Sequence, residues 1–156
     1  EKTEKQIQCF QNNDIGLCYT GKNVLDKNDQ KINYSYKSGR FSSDFKSILW
    51  DNFIGITSSI MIKKNILDVT GFFDEKLPAL QDYDFCIRVC QNFQVLGINE
   101  ALVNYKYLYS KDQVSNKRIN FNLSCQMLKN KYSNSYLLRF GLWKLKLKKR
   151  IKKIYE

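Results

Sequence analysis

Two carboxylates two positions apart, Asp82 and Asp84, open a stretch whose spacing predicts a helix over residues 80–93. Its apolar stripe is Phe85, Cys86, Val89, Cys90 and Phe93, the i, i+1, i+4, i+5, i+8 pattern of a buried helix face. Counting back three or four residues from Phe85 and Cys86 reaches Asp82, which therefore points with the stripe, at the rim of the core. An ionised carboxylate there must be paired, hydrogen-bonded or functional. It can cap the helix, worth about 1 kcal/mol, or serve as a base, and spacing alone leaves both open. Asp84 points the other way, four residues before Arg88, the favourable acid-then-base order for an exposed helix pair. The sequence has no His, which excludes a Ser-His-Asp triad, a Cys-His pair and a His-ligated zinc. Proton transfer is left to carboxylates, Tyr, Lys, Cys or hydroxyls.

The elements that must position these groups belong to a chain of 156 residues, enough for one domain or part of one. At 43% hydrophobic and 14% aromatic residues it is too rich in core formers for disorder. No apolar run reaches 18 residues, so no transmembrane helix is expected. Cys9, Cys18, Cys86, Cys90 and Cys125 are odd in number and lack Cys-x-x-Cys spacing, against a disulfide framework or a zinc site. They are expected to be reduced, which points to the cytoplasm. The chain starts at Glu1 in helix-like sequence without Met, which points to a fragment.

Alternating strands and helices give an α/β class. The predicted order is a helix end over 1–13, a strand over 15–20, a polar turn, and a weak strand or hairpin arm over 31–36. Next come a helix capped by Ser42 or Ser43 and running to about Asn52, and the strongest strand, 54–62, with its regular apolar alternation. A short helix over 64–69, the 80–93 helix, and a strand over 94–107 bent near Gly97 to Glu100 follow. A polar loop over 110–117 then leads to a helix over 118–130.

The net charge of +11 is concentrated at the end of the chain. Arg139, Lys144, Lys146, Lys148, Lys149, Arg150, Lys152 and Lys153 face a single acid, Glu156. Tyr136, Phe140, Trp143, Leu147, Ile151 and Ile154 share one narrow helical stripe, whereas Leu138, Leu142 and Leu145 lie opposite. A basic helix with such a stripe suits an anionic membrane surface, through Arg139, Trp143, Lys144, Lys148 and Lys152. The alternatives are a terminal helix packing that stripe on its own domain, and nucleic acid, which ranks lower because no recognition module accompanies the charge.

The segment Gly71-Phe72-Phe73-Asp74-Glu75-Lys76-Leu77, followed by Gln81-Asp82-Tyr83-Asp84-Phe85-Cys86-Ile87-Arg88, resembles a signature of family 2 glycosyltransferases. There, Gly-x-Phe-Asp-Glu-x-Leu precedes Glu-Asp-x-Asp-x-x-x-Arg. Residues 55–64 resemble the strand before that segment, 98–105 its closing strand, and 1–20 the helix and strand after the family's metal-binding Asp-x-Asp motif. The resemblance implies an incomplete GT-A, Rossmann-like domain: a mixed sheet flanked by helices, with residues 1–115 its C-terminal half and 116–156 a helical extension ending in a basic helix. The implied activity is inverting transfer from a nucleotide-sugar to a glycan or lipid-linked acceptor in bacterial surface polysaccharide synthesis, at the inner face of the cell membrane. By this resemblance Asp82 is the base, and Gln81 either positions the acceptor or begins the helix; Thr57 and Ser58 offer hydroxyls to the acceptor or pack their strand, and Trp50 stacks on a sugar face or packs its amphipathic helix. Asp74, Glu75, Asp84 and Arg88 hold the motif together. Mg²⁺ or Mn²⁺ is expected for the full-length enzyme, with ligands mostly outside this chain and none assigned within it; the isolated chain is expected to be inactive. Gln81 stands where the family commonly has Glu, and no His follows the last strand. The alternative is a non-catalytic basic module on an anionic membrane or nucleic acid.

Overall fold

A computed structural model describes residues 1–26, 28–35, 45–106, 118–132 and 135–154. The elements in chain order are α1 (Lys2–Cys9), β1 (Ile15–Leu25), β2 (Lys31–Ser35), α2 (Phe45–Trp50), β3 (Ile60–Ile62), α3 (Leu67–Thr70), α4 (Gln81–Asn92), β4 (Gln94–Lys106), α5 (Arg118–Lys131) and α6 (Tyr136–Ile154). Short 3-10 turns precede β3 and α3. The class is α/β, as read from the sequence. The predicted caps at Ser42 and Ser43 and the loop over 110–117 lie outside the described residues, as do the side chains of Lys148 and Lys152.

β1 organises a four-stranded mixed sheet. A strand has two hydrogen-bonding edges, and β4 runs parallel to β1 along one of them, from Ile15↔Gln94 to Leu25↔Lys106. The other edge is divided between two antiparallel partners: β3 faces Leu17–Tyr19, and β2 faces Lys22–Leu25. The β1 strand therefore runs on past its expected end at Thr20 to Leu25, its polar second half being held by neighbours on both sides. β4 bends where expected: opposite the step from Thr20 to Gly21 the register jumps from Ile98 to Ala101.

The expected strand over 54–62 is corrected to Ile60–Ile62 alone. Gly55 turns the chain with φ +96°, and the Ser59 hydroxyl donates back to the Ile56 carbonyl at 2.7 Å, fixing a 3-10 turn over Thr57–Ser59. β2 already occupies the rest of that β1 edge, so a longer strand would find no partner for its backbone. The fully buried Gln6 of α1 locks this corner, donating to the carbonyls of Ser59 (3.0 Å) and Cys18 (3.3 Å).

The core joins Leu17, Tyr19 and Val95 of the sheet to Tyr83, Cys86, Ile87, Val89 and Cys90 of α4. Phe121, Cys125 and Leu128 of α5 and Leu138 and Leu142 of α6 belong to the same cluster. All five cysteines are free, and burial pushes the Cys86 thiol up.

α6 packs mainly through the leucines opposite its aromatic stripe, and of the stripe Phe140 stacks on Trp50 of α2. Gly141 makes this possible: a Cβ there would stand 2.2 Å from the Leu49 carbonyl oxygen of α2 and 3.0 Å from that of Trp50. Both obstacles are backbone and cannot rotate away. Gly141→Ala is expected to force α6 off α2, costing about 1–3 kcal/mol and lowering Tm by roughly 5 °C in a thermal melt. An unchanged Tm would contradict this packing.

Candidate active site

The site is built at the start of α4. Only Phe93 separates α4 from β4, so the helix runs back along the sheet, and its 12 residues, about 18 Å, bring its start beside the middle of β4. Asp82 confirms the direction, since the Lys22 ammonium from the outer half of β1 is close enough to favour its ionised form. Lys22 also stands over the Tyr105 ring of β4, 4.7 Å from its centroid.

The turn into α4 is held from several sides. Leu80 is the N-cap residue, in the left-handed region at φ 62°, ψ 21°, and offers no capping side chain. A non-glycine residue there carries strain of about 1–3 kcal/mol. The Ala79 amide donates to the Ser124 hydroxyl of α5 at 2.9 Å, and the Gln81 side-chain amide donates to the Leu77 carbonyl at 2.7 Å. Gly71, at φ 69°, turns the preceding segment.

Asp82 is half-buried in the first turn of α4 and is not the N-cap. Its Oδ1 accepts the Tyr83 amide at 2.8 Å, so part of the capping role considered from sequence is real. Burial raises its pKa above the usual carboxylate value, outweighing the backbone amides and Lys22, which favour the charged form. Among the described residues no side chain donates a hydrogen bond to it. The result is a carboxylate at the core's rim, more basic than an ordinary Asp and restrained on one oxygen.

Asp84 departs from expectation. It is 0% exposed, not a surface residue. The Arg88 pair is present, with Nε donating to Oδ2 at 2.9 Å, but Lys131 Nζ also donates at 3.0 Å and the Tyr132 hydroxyl donates to Oδ1 at 3.0 Å. Lys131 and Tyr132, at the end of α5, close over the side of α4 that a single-helix projection leaves in solvent. Lys131 also pairs with Asp74 at 3.1 Å, and that hydrogen bond holds the Asp74 carboxyl below its ordinary value. Arg88 donates through its two terminal nitrogens to the carbonyls of Thr70 and Phe72. Asp74, Asp84 and Arg88 thus fasten the turn over 71–77 to α4 and α5. Glu75 is exposed in that turn.

The remaining sequence candidates lie on the turn before β3 and on α2. Thr57 and Ser58 are exposed on the 3-10 turn and not at a strand end. Trp50 stacks on Phe140 of α6, centroids 4.3 Å apart and planes 16° from parallel, with Lys144 Nζ 5.0 Å from its ring centroid. One face of its indole is therefore occupied. Gln81 and Asp82 are adjacent at the site, and Lys22 and Tyr105 join them without having been singled out from sequence. The sequence offered no signal for Lys22, which stands in the polar stretch just past the expected strand end at Thr20.

The Asp-x-Asp spelling at Asp82-Tyr83-Asp84 does not make a metal pair, because Asp84 is consumed by Arg88, Lys131 and Tyr132. Among the described residues no group of three or more His, Cys, Asp or Glu could hold a metal ion. The donor set for Mg²⁺ or Mn²⁺ does not fit these residues.

No protein-family model matches the sequence. The chain is similar to an uncharacterized glycosyltransferase of Methanocaldococcus jannaschii, 29% identical over 109 residues. The match covers 68% of this chain and 37% of that protein, so the chain spans well under half the relative's length.

Proposed function

We propose that these residues form the acceptor side of an inverting, nucleotide-sugar-dependent glycosyltransferase of the family 2, GT-A type, with Asp82 as the catalytic base. The observation that carries this reading is the half-buried Asp82 carboxylate, its pKa raised, in the first turn of α4 on the side of Lys22 of β1. The glycosyltransferase relative and the 71–88 motif support it. The acceptor is a glycan or lipid-linked sugar of bacterial surface polysaccharide synthesis, used at the inner face of the cell membrane. The donor and its metal are held by a half of the enzyme that these residues do not include, so the isolated chain is inactive.

In the displacement an acceptor hydroxyl oxygen bonds to the anomeric carbon while the bond from that carbon to the diphosphate oxygen breaks on the opposite face. The hydroxyl proton passes to the Asp82 carboxylate, and the nucleoside diphosphate leaves with the bonding pair. The Tyr83 amide fixes the orientation of the carboxylate, and Lys22 offsets part of the burial that disfavours its charge. Gln81, tied to Leu77, borders the acceptor.

The test is acceptor-dependent release of nucleoside diphosphate by the complete enzyme across a panel of nucleotide-sugars. Release with at least one donor, coupled to a product of inverted anomeric configuration, is expected. Retention of configuration would overturn the base role, and no release with any donor would overturn the transferase reading.

A further inference from the structure

The aromatic stripe of α6 is left uncovered by the fold. Tyr136 is 77% exposed, Trp143 55%, and Phe140 and Leu147 39% each, while Leu138 and Leu142 on the other side are fully buried. The helix cannot roll to hide the stripe, because Gly141 seats it directly on the α2 backbone. Trp50 of α2, 44% exposed, extends the stripe sideways. A continuous aromatic row results: Trp50 stacked on Phe140, and Phe140 tilted against Trp143 with centroids 5.4 Å apart. Lys144 lies beside this row, its ammonium 5.0 Å from the Trp50 centroid and 6.0 Å from that of Phe140.

We propose that this composite face, α6 together with Trp50, is a docking surface for an anionic lipid bilayer, with α6 lying in the plane of the membrane. It goes beyond the transfer reading, for which it would supply access to a lipid-linked acceptor. Charge complementarity names the occupant: eight Lys and Arg and no acid lie between Arg139 and Lys153. An anionic surface attracts such a segment, and Trp and Tyr are the side chains that favour the boundary between headgroups and acyl chains. Nineteen helical residues extend about 28 Å along that boundary, and no helix among the described residues is long and apolar enough to cross it. Nucleic acid would use the charge, but it leaves Leu147 and the edge of the aromatic row in water.

The sequence contains two Trp residues, Trp50 and Trp143, and both lie on this face, so their emission reports its burial directly. The full chain is mixed with phosphatidylglycerol–phosphatidylcholine vesicles, with phosphatidylcholine vesicles alone, and with a single-stranded oligonucleotide. Expected are a blue shift and quenching by bromolipid on the anionic vesicles, with binding at least tenfold weaker on phosphatidylcholine. Salt at about 1 M, where the Debye length is about 3 Å, should weaken the binding strongly. Trp143→Ser and Arg139→Glu, both at exposed positions, should each lower vesicle affinity several-fold with Tm unchanged. Oligonucleotide binding without vesicle binding, vesicle binding without a blue shift, or wild-type affinity in both variants would each overturn the proposal. The assay uses neither donor nor acceptor, so its failure leaves the transfer reading standing, and loss of transfer leaves this one.

Discussion

Asp82→Asn in the complete enzyme is expected to lower acceptor-dependent kcat by about 10²–10⁴-fold, the usual contribution of a positioned general base. The KM for the donor should not move, because the substitution removes only the proton acceptor. The fold should survive, since the carboxamide oxygen of the variant side chain can still accept the Tyr83 amide that Asp82 Oδ1 accepts at 2.8 Å. Stability gives an independent check with a definite sign. Burial raises the Asp82 pKa from about 3.8 in the folded state, so its contribution to stability is fullest below that ordinary value. That contribution is lost as pH rises through the raised one. At neutral pH the ionised group is a cost, and Asp82→Asn removes it. Tm of the variant should therefore equal or exceed that of the wild type at pH 7, and the difference should shrink or reverse in acid. A variant that is both inactive and clearly less stable at pH 7 would mark Asp82 as a structural cap instead.

Asp84→Asn should show the opposite pattern: a large loss of stability. An exposed i,i+4 pair is worth about 0.3–0.5 kcal/mol, and deleting one would hardly be measurable. Asp84, however, is fully buried and receives Arg88, Lys131 and Tyr132. Removing its charge leaves two cations gathered around a neutral amide, and breaking a buried pair in this way costs about 3–5 kcal/mol. Lys131 is 37% exposed and can turn partly to water, so the lower end applies. Tm is expected to fall by roughly 10 °C, read by calorimetry or circular dichroism. A fall of only about 1–2 °C, roughly what a surface pair would give, would show that the α5 end does not close over α4.

These two acids also show where sequence reasoning reached its limit. Helix periodicity placed Asp82 at the core's rim correctly, because the stripe it belongs to packs on the sheet next in the chain. It misjudged Asp84 because the groups covering it come from residues 131 and 132, far along the chain, and a helical wheel contains no such neighbour. Tyr83 and Ile87, both fully buried, were the overlooked sign that α4 has a second covered side. Competition among strands limited the 54–62 region in the same way. Its alternation is real, but β1 has only one free edge and β2 uses half of it. On α6 the apolar residues of both faces were visible, while the choice of packing face was decided by Gly141, whose missing Cβ lets the leucine side reach the α2 carbonyls. Lys22 was legible only as a lysine in the polar turn after the expected strand; its relation to Asp82 exists through the β1–β4 pairing and the return of α4 along it.

The pH dependence of acceptor-dependent kcat/KM, measured side by side for the wild type and Asp82→Asn, tests the role of Asp82 most directly. A base must be ionised to accept a proton, so wild-type turnover should fall on the acid side, through an apparent pKa above the ordinary value of about 3.8. That acid limb should vanish in Asp82→Asn, leaving a low and flat residual rate. The same limb, at the same pH, in the variant would mean that some other group takes the acceptor's proton.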